Sequence, residues 1–132
     1  MAHILVIEDN EANLRLASLL LTNAGHTVVS AGDAEAGLAL ARSAALDLIL
    51  MDIQLPGMDG LDATRLLKTD EATATIPVIA LTAMAMKDDQ ERTRRAGCDG
   101  YIAKPLRYKE LYAAIDEQLA KRSETIMAQD PS

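Results

Sequence analysis

Short apolar runs alternate with longer segments of helical period along this chain. The runs predict five β-strands, and the segments between them predict five helices. The predicted strands are residues 3–7, 27–30, 47–51, 76–82 and 100–104. The predicted helices are residues 10–24, a segment capped by Asp33 that runs to about 44, residues 60–68, a polar segment that ends near 97, and residues 106–121.

This alternation predicts an α/β fold built from right-handed βαβ units, with a parallel sheet and helices on both of its faces. The first, third and fourth strands are the most continuously apolar, which places them in the middle of the sheet. The second and fifth strands are weaker and suit its edges. The pattern fits a doubly wound, five-stranded sheet of order 2-1-3-4-5 with five helices.

The last residues of the chain, SETIMAQDPS, lack a sustained hydrophobic period. We therefore predict one domain, residues 1–121, followed by a flexible tail, residues 122–132. A length of 132 residues suits a single domain with a proper core.

Charged and polar side chains follow four of the five predicted strands. The first strand is followed by Glu8 and Asp9, the third by Asp52, while the fourth ends in Thr82 and the fifth in Lys104. Because the carboxyl ends of parallel strands meet at one edge of a sheet, these side chains are expected to lie together. The sequence thus predicts one site with three carboxylates, a hydroxyl group and an ammonium group.

Three neighbouring carboxylates need compensation, since each pair repels by roughly 4 kcal/mol at an effective dielectric constant near 20. Protonation is one remedy and a hard divalent cation is another. Mg²⁺ prefers a few carboxylate oxygens together with water and phosphate, so Asp9 and Asp52 could bind it directly, with help from Glu8. A carboxylate beside Mg²⁺ can attack phosphorus and form an acyl phosphate. Lys104 and Thr82 could then stabilise the phosphoryl oxygens.

Composition narrows the range of partners and compartments. The net charge of −7 opposes binding to phosphate backbones, so no nucleic-acid partner is expected. The single cysteine, Cys98, excludes an internal disulfide and suits a reducing compartment. No apolar run approaches the ~20 residues needed to span a bilayer, and no secretory leader is recognisable. A cytoplasmic protein without membrane insertion is the expectation.

Four motifs in order, IEDN, LILMDIQLPGMDG, IALTA and YIAKP, resemble the receiver domain of two-component response regulators. The resemblance spans roughly residues 3–121 and implies the flavodoxin-like receiver fold. Longer stretches, such as MDIQLPGMDGLDATRLLK, resemble single-domain cell-cycle regulators of the DivK type and also receivers fused to hybrid histidine kinases.

The resemblance implies a role for each residue of the predicted site. Asp52 would be the phosphoacceptor. Asp9, Asp52 and the backbone carbonyl of Gln54 would bind Mg²⁺, with Glu8 assisting. The receiver would then help to catalyse its own phosphorylation without being a dedicated enzyme.

The resemblance also implies a phosphate-binding pair and a conformational switch. Thr82 and Lys104 would hold the phosphoryl group, Tyr101 would be the aromatic switch residue, and the Lys104–Pro105 peptide bond would be cis. Plainer roles stay open, since Thr82 alone suits any strand, Lys104 alone suits a solvated surface, and Tyr101 could be an ordinary edge-strand residue.

The implied partners are proteins. A histidine kinase or histidine phosphotransfer protein would donate the phosphoryl group near the first helix and the loop after Lys104. A downstream protein would bind the face formed by the fourth helix, the fifth strand and the fifth helix. We predict a single-domain response regulator; a receiver excised from a hybrid histidine kinase or a longer phosphorelay protein is the alternative.

Rival classes fit the sequence less well. A flavodoxin-like electron carrier needs a phosphate-binding loop after its first strand, where this chain has the acidic segment EDNEAN. A phosphatase of the haloacid-dehalogenase type needs a second acid two positions after its nucleophile, where this chain has Gln54.

Overall fold

The computed structural model describes residues 2–83 and 87–129, with side chains for residues 2–83 and 90–122. Five strands alternate with five helices along these segments. They are β1 (His3–Ile7), α1 (Glu11–Asn23), β2 (Thr27–Ala31), α2 (Ala34–Ser43), β3 (Leu48–Asp52), α3 (Gly60–Thr69), β4 (Val78–Thr82), α4 (Lys87–Ala96), β5 (Gly100–Ala103) and α5 (Tyr108–Gln129).

The strands form one parallel sheet of order β2-β1-β3-β4-β5, which confirms the predicted fold class and strand order. β1 lies between β2 and β3. After β1 the chain adds β2 on one side, and it then adds β3, β4 and β5 on the other side, so the strand order reverses at the β1–β3 boundary. This boundary is the position at which open α/β sheets bind their ligands.

Burial separates the central strands from the edge strands as expected. β3 and β4 are buried at every position, and β1 at every position after His3, whereas β2 and β5 each have one buried residue and are otherwise partly buried or exposed. A strand that is buried on both faces has apolar residues throughout, which is why the sequence of β1, β3 and β4 shows continuous apolar runs.

Alternate residues of each central strand enter two separate hydrophobic cores. Leu5, Ile49 and Met51 pack on the face that includes residues of α2 and α3. Residues of opposite parity, such as Val6 and Leu50, pack on the face that includes residues of α1 and α5. The sheet is thereby fixed from both sides, and with it the positions of its carboxyl ends.

The end of the last helix differs from the prediction. The sequence predicts that this helix ends near 121, but α5 continues to Gln129. Neither glycine nor proline interrupts residues 122–129, and a helix that has formed adds one hydrogen bond for each further residue. The guanidinium of Arg122 also donates to the Leu46 carbonyl at 3.0 Å and to Asp47 at 3.2 Å, which holds this part of α5 against the sheet. The flexibility predicted for residues 122–132 stays a prediction, and residues 130–132 lie outside the described part of the chain.

Among the described residues, no helix combines the length and the apolar character that a membrane span requires.

Candidate functional site

Three carboxylates meet where β1 and β3 end. Glu8 and Asp9 follow β1, Asp52 is the last residue of β3, and one oxygen of each lies within 4.8 Å of the others. Glu8 and Asp52 are only 1% and 2% exposed, whereas Asp9 is exposed to solvent. The predicted convergence of these acids at the carboxyl edge of the sheet is therefore observed.

Lys104 supplies the one ammonium group that the described side chains place among these acids. Its Nζ lies 3.1 and 3.2 Å from the two oxygens of Glu8 and 3.2 Å from Oδ2 of Asp52. The residue follows β5, and its backbone N–H donates to the Thr82 carbonyl at 2.7 Å, which fixes the start of the loop. The peptide bond between Lys104 and Pro105 is cis, as the resemblance implies.

The balance of charge at this edge is negative. Three ionised carboxylates and one ammonium group have a formal charge of −2, which matches the charge of a divalent cation. Burial and a hydrogen bond with Asp52 raise the pKa of Glu8 to about 7. A shared proton and a cation are thus alternative ways to relieve the repulsion between these acids. The donor set is that of a hard cation, so the residues present fit Mg²⁺.

The loop after β3 holds Asp52 by its backbone. The N–H of Gln54 donates to Asp52 Oδ1 at 3.0 Å. A Cβ atom at Gly60 would collide with the carbonyl oxygen of Asp52, so the start of α3 can pack this closely only with glycine. Gly57 has a φ of 73°, in the left-handed region that favours glycine. The glycines of the LPGMDG motif therefore shape the pocket around Asp52, while the proposed role of the Gln54 carbonyl stays a prediction.

Thr82 and Tyr101 lie on the same face of the sheet. Thr82 is the last residue of β4 and pairs with Ala103, while Ala80 pairs with Tyr101. On this face Thr82 and Tyr101 are therefore diagonal neighbours, and the small side chains of Ala80 and Ala103 lie beside them. Tyr101 is 38% exposed, and its role as the switch residue stays a prediction.

The structure adds one residue that the sequence did not indicate. Asn13, in the first turn of α1, donates from Nδ2 to Glu8 Oε1 at 2.9 Å. Asn10 caps α1 by accepting from the backbone N–H of Asn13 at 2.9 Å, so this end of the helix faces the edge of the sheet. The only signal in the sequence for this contact is that Asn13 is a polar residue three positions after the helix cap. Such a residue is also typical of an ordinary polar helix face, so the signal is not specific.

The model of the response regulator receiver domain family matches residues 4–116 of the chain. The chain belongs to this family. Its five-stranded sheet and its acidic edge are thus those of a receiver, as the sequence motifs indicate.

Similar proteins support the same assignment. The receiver is 48% identical over 103 residues to the polar-differentiation response regulator DivK of Brucella ovis, a match that covers 78% of this chain and 84% of the relative. It also resembles the solved receiver domain of a sensor histidine kinase from Pseudomonas aeruginosa, at 34% identity and a TM-score of 0.84, over 90% of this chain and 98% of that one. That structure has a magnesium ion coordinated in its active-site cleft.

A CheY-like receiver from Methanospirillum hungatei shares the fold. It has 28% sequence identity and a TM-score of 0.87, and the match covers 95% of this receiver and 98% of that chain.

Proposed function

We propose that this receiver is a response regulator that accepts a phosphoryl group on Asp52 with the help of Mg²⁺. The observation that carries the proposal is the convergence of Glu8, Asp9, Asp52 and Lys104 at one edge of the sheet. This arrangement combines a nucleophile, an excess of negative charge for a divalent cation, and a cation that can bind a phosphoryl oxygen.

The reaction is an exchange of one bond to phosphorus for another. An oxygen of the Asp52 carboxylate attacks the phosphorus of a phosphohistidine, a P–O bond forms, and the P–N bond breaks with its electron pair on the imidazole nitrogen. Asp52 becomes an acyl phosphate and the donor histidine becomes neutral after protonation. Mg²⁺, when bound, neutralises the acids and the phosphoryl oxygens; Asp9, Asp52 and the Gln54 carbonyl would hold it, with Glu8 assisting through water. Thr82 and Lys104 would bind the phosphoryl oxygens by charge-assisted hydrogen bonds.

A groove next to the site suits a protein donor, a histidine kinase or a histidine phosphotransfer protein. The groove, of about 590 Å³, is lined by residues of α1, such as Leu16, and of the segment Leu106–Glu110. Leu19 of α1, 57% exposed, adds apolar surface near it. Arg107, Lys109 and Glu110 give its wall a net positive charge. We propose that a donor helix with an apolar stripe and acidic flanks lies here, beside Lys104.

The downstream partner, which receives the signal, would bind the face formed by α4, β5 and α5. Between α4 and β5 lies a cavity of about 360 Å³, lined among others by Gln90, Arg94 and Tyr101. Tyr101 therefore stands where a change in its orientation would alter this face. The receiver would pass its signal to a downstream protein through that change.

Labelling with a small phosphodonor tests the proposal directly. Acetyl phosphate and Mg²⁺ should add one phosphoryl group, labile to alkali, to the wild type and none to Asp52→Asn. Asp62→Asn is the matched control, because Asp62 is an exposed acid of α3 that pairs with Arg65. Label that persists in Asp52→Asn would place the chemistry elsewhere.

A receiver that works within a longer phosphorelay protein is the second candidate. The likeness to the receiver of a sensor histidine kinase favours it, at 34% identity over 98% of that chain. The chemistry at Asp52 is the same for both candidates. An immunoblot of the native polypeptide in cell fractions would distinguish them by size and would test the proposed cytoplasmic location.

A further inference from the structure

Glu8 is held from two sides by donors of different kinds. The Asn13 amide donates to its Oε1 at 2.9 Å from α1, and the Lys104 ammonium contacts Oε1 and Oε2 at 3.1 and 3.2 Å from the end of β5. The Glu8 carboxylate is 1% exposed, so water can replace neither donor freely. A buried carboxylate that loses its donors has a large desolvation penalty.

Lys104 is shared between two acids, whereas Asn13 is fixed. The Lys104 ammonium lies 3.2 Å from Asp52 Oδ2 as well as within reach of Glu8. A phosphoryl group on Asp52 carries more negative charge and more acceptor oxygens than the free carboxylate, so it attracts the ammonium away from Glu8. Asn13 cannot follow, because its backbone belongs to the first turn of α1, which the Leu14 N–H closes on the backbone carbonyl of Asn10 at 2.9 Å.

We propose that Asn13 is a positioning residue, whose amide N–H holds the Glu8 carboxylate in place while the Lys104 ammonium moves from Glu8 to the phosphoryl group on Asp52. This inference rests on the proposed function. Without the Asn13 amide, only Lys104 remains of the two donors described above to hold the Glu8 carboxylate. The Lys104 ammonium is then less available to the phosphoryl group that is transferred to Asp52. Asn13 would thereby affect the rate at which Asp52 is phosphorylated without touching the phosphoryl group.

Four variants separate this role from helix stability. Asn13→Ala removes the donor, Asn13→Asp replaces it with an acceptor of the same size, and Asn13→Gln keeps an amide on a longer side chain. Asn10→Ala is the matched control, because it removes the cap of α1 and leaves the Asn13 side chain in place. The control should unfold at a lower temperature than the wild type yet react at the wild-type rate.

The first readout is the rate of labelling by acetyl phosphate and Mg²⁺. In this reaction a P–O bond to Asp52 forms and the P–O bond to acetate breaks, with the electron pair on the departing acetate. We expect labelling to be about tenfold slower in Asn13→Ala, slower still in Asn13→Asp, and partly restored in Asn13→Gln, since about tenfold corresponds to the loss of one modest hydrogen bond. A donor this small needs no docking surface, so the readout isolates the pocket.

The second readout needs neither metal nor phosphate. The NMR signal of the Lys104 ammonium, assigned by its absence in Lys104→Arg, should shift in Asn13→Ala and Asn13→Asp but not in Asn10→Ala. A purely structural role of Asn13 would move the melting temperature and leave this signal in place.

The outcomes distinguish this inference from the proposed function. Wild-type labelling rates in both Asn13→Ala and Asn13→Asp would overturn the role of Asn13 and leave Asp52 as phosphoacceptor. If the Asn13 variants slow transfer only from a phosphohistidine protein, Asn13 is a docking residue. If Asn10→Ala lowers the acetyl phosphate labelling rate as much as Asn13→Ala does, Asn13 has a structural role. Either result overturns the inference. A wild type that acetyl phosphate does not label at all would remove the proposed function and this inference together.

Discussion

Asp9 differs from the other two acids of the site in its exposure. Glu8 and Asp52 are buried against the Lys104 ammonium, whereas Asp9 is exposed to solvent. Asn10, and not Asp9, caps α1, so the Asp9 carboxylate is not needed for that role. An exposed carboxylate beside a buried pair is well placed to be the first ligand that an incoming cation meets.

We therefore predict that Asp9→Asn lowers the affinity for Mg²⁺ by at least about tenfold in the unphosphorylated protein, because one of the three charges that attract the cation is lost. Isothermal titration measures the affinity, with Asp62→Asn as a control for the general loss of one surface charge. Equal affinity in Asp9→Asn and the wild type would remove Asp9 from the metal site.

Cys98 has an environment that suppresses its reactivity. Burial raises the pKa of its thiol above the usual value, and the thiol lies 3.9 Å from the Thr64 hydroxyl. A raised thiol pKa means a smaller thiolate fraction at any given pH below it, and the thiolate is the reactive form. We expect alkylation near pH 8 to be slower in the folded protein than in the urea-unfolded chain, and its rate to rise only at higher pH. Equal rates in the two states would contradict this.

At the scale of elements, α3 packs closely against the end of β3. A Cβ at Gly60 would meet the backbone of Asp52 and Ile53, which cannot move aside as a flexible side chain can. At Gly25, which follows α1, a Cβ would meet open space, and only its φ of 91° disfavours other residues.

The comparison of these two glycines gives a prediction. Gly60→Ala should lower the free energy of unfolding by about 2 kcal/mol or more and slow the labelling of Asp52, because the collision displaces the strand end. Gly25→Ala should lower it by about 1 kcal/mol and leave labelling unchanged, since it introduces strain far from the site. Urea denaturation and acetyl phosphate labelling measure the two effects. A Gly60→Ala protein that is as stable and as reactive as the wild type would show that α3 can shift freely.

The elements also show which parts of the structure could be predicted from sequence. β3 could be located because it is continuously apolar, and Asp52 could be assigned to the site because it ends that run at a defined edge. Asn13 could not be assigned to the site, because its contact with Glu8 depends on the angle between α1 and the sheet, and sequence spacing gives no information on that angle. The predicted end of α5 was wrong. Segment 122–129 has few apolar residues, which suggested a tail, but it contains no residue that stops a helix.

At the scale of the whole molecule, the proposed switch couples the acidic edge to the face of α4, β5 and α5. A phosphoryl group on Asp52 offers oxygens to the Thr82 hydroxyl, in a charge-assisted bond worth about 1.5–3 kcal/mol. Movement of Thr82 would open space past Ala80 and Ala103 for the Tyr101 ring, which lies on the same face of the sheet.

We predict that beryllofluoride, which mimics the phosphoryl group, shifts the NMR signals of the Tyr101 ring in the wild type. The shift should be lost in Thr82→Ala and kept in Thr82→Ser, which retains the hydroxyl group. If Thr82→Ala shows the full shift while it still binds beryllofluoride, Tyr101 responds to something other than Thr82 and this coupling is wrong.

The contact of Arg122 with the Leu46 carbonyl and Asp47 has a practical consequence for experiments on this protein. α5 starts at Tyr108 beside the acidic edge and reaches Arg122 at the amino ends of the strands, a rise of about 20 Å. The backbone of His3 binds the same Asp47 at 2.8 Å, so the beginning of β1 and the far part of α5 share one edge. A fluorophore or a surface tether attached near either point therefore lies on the side opposite Asp52, away from the groove proposed for the phosphodonor protein.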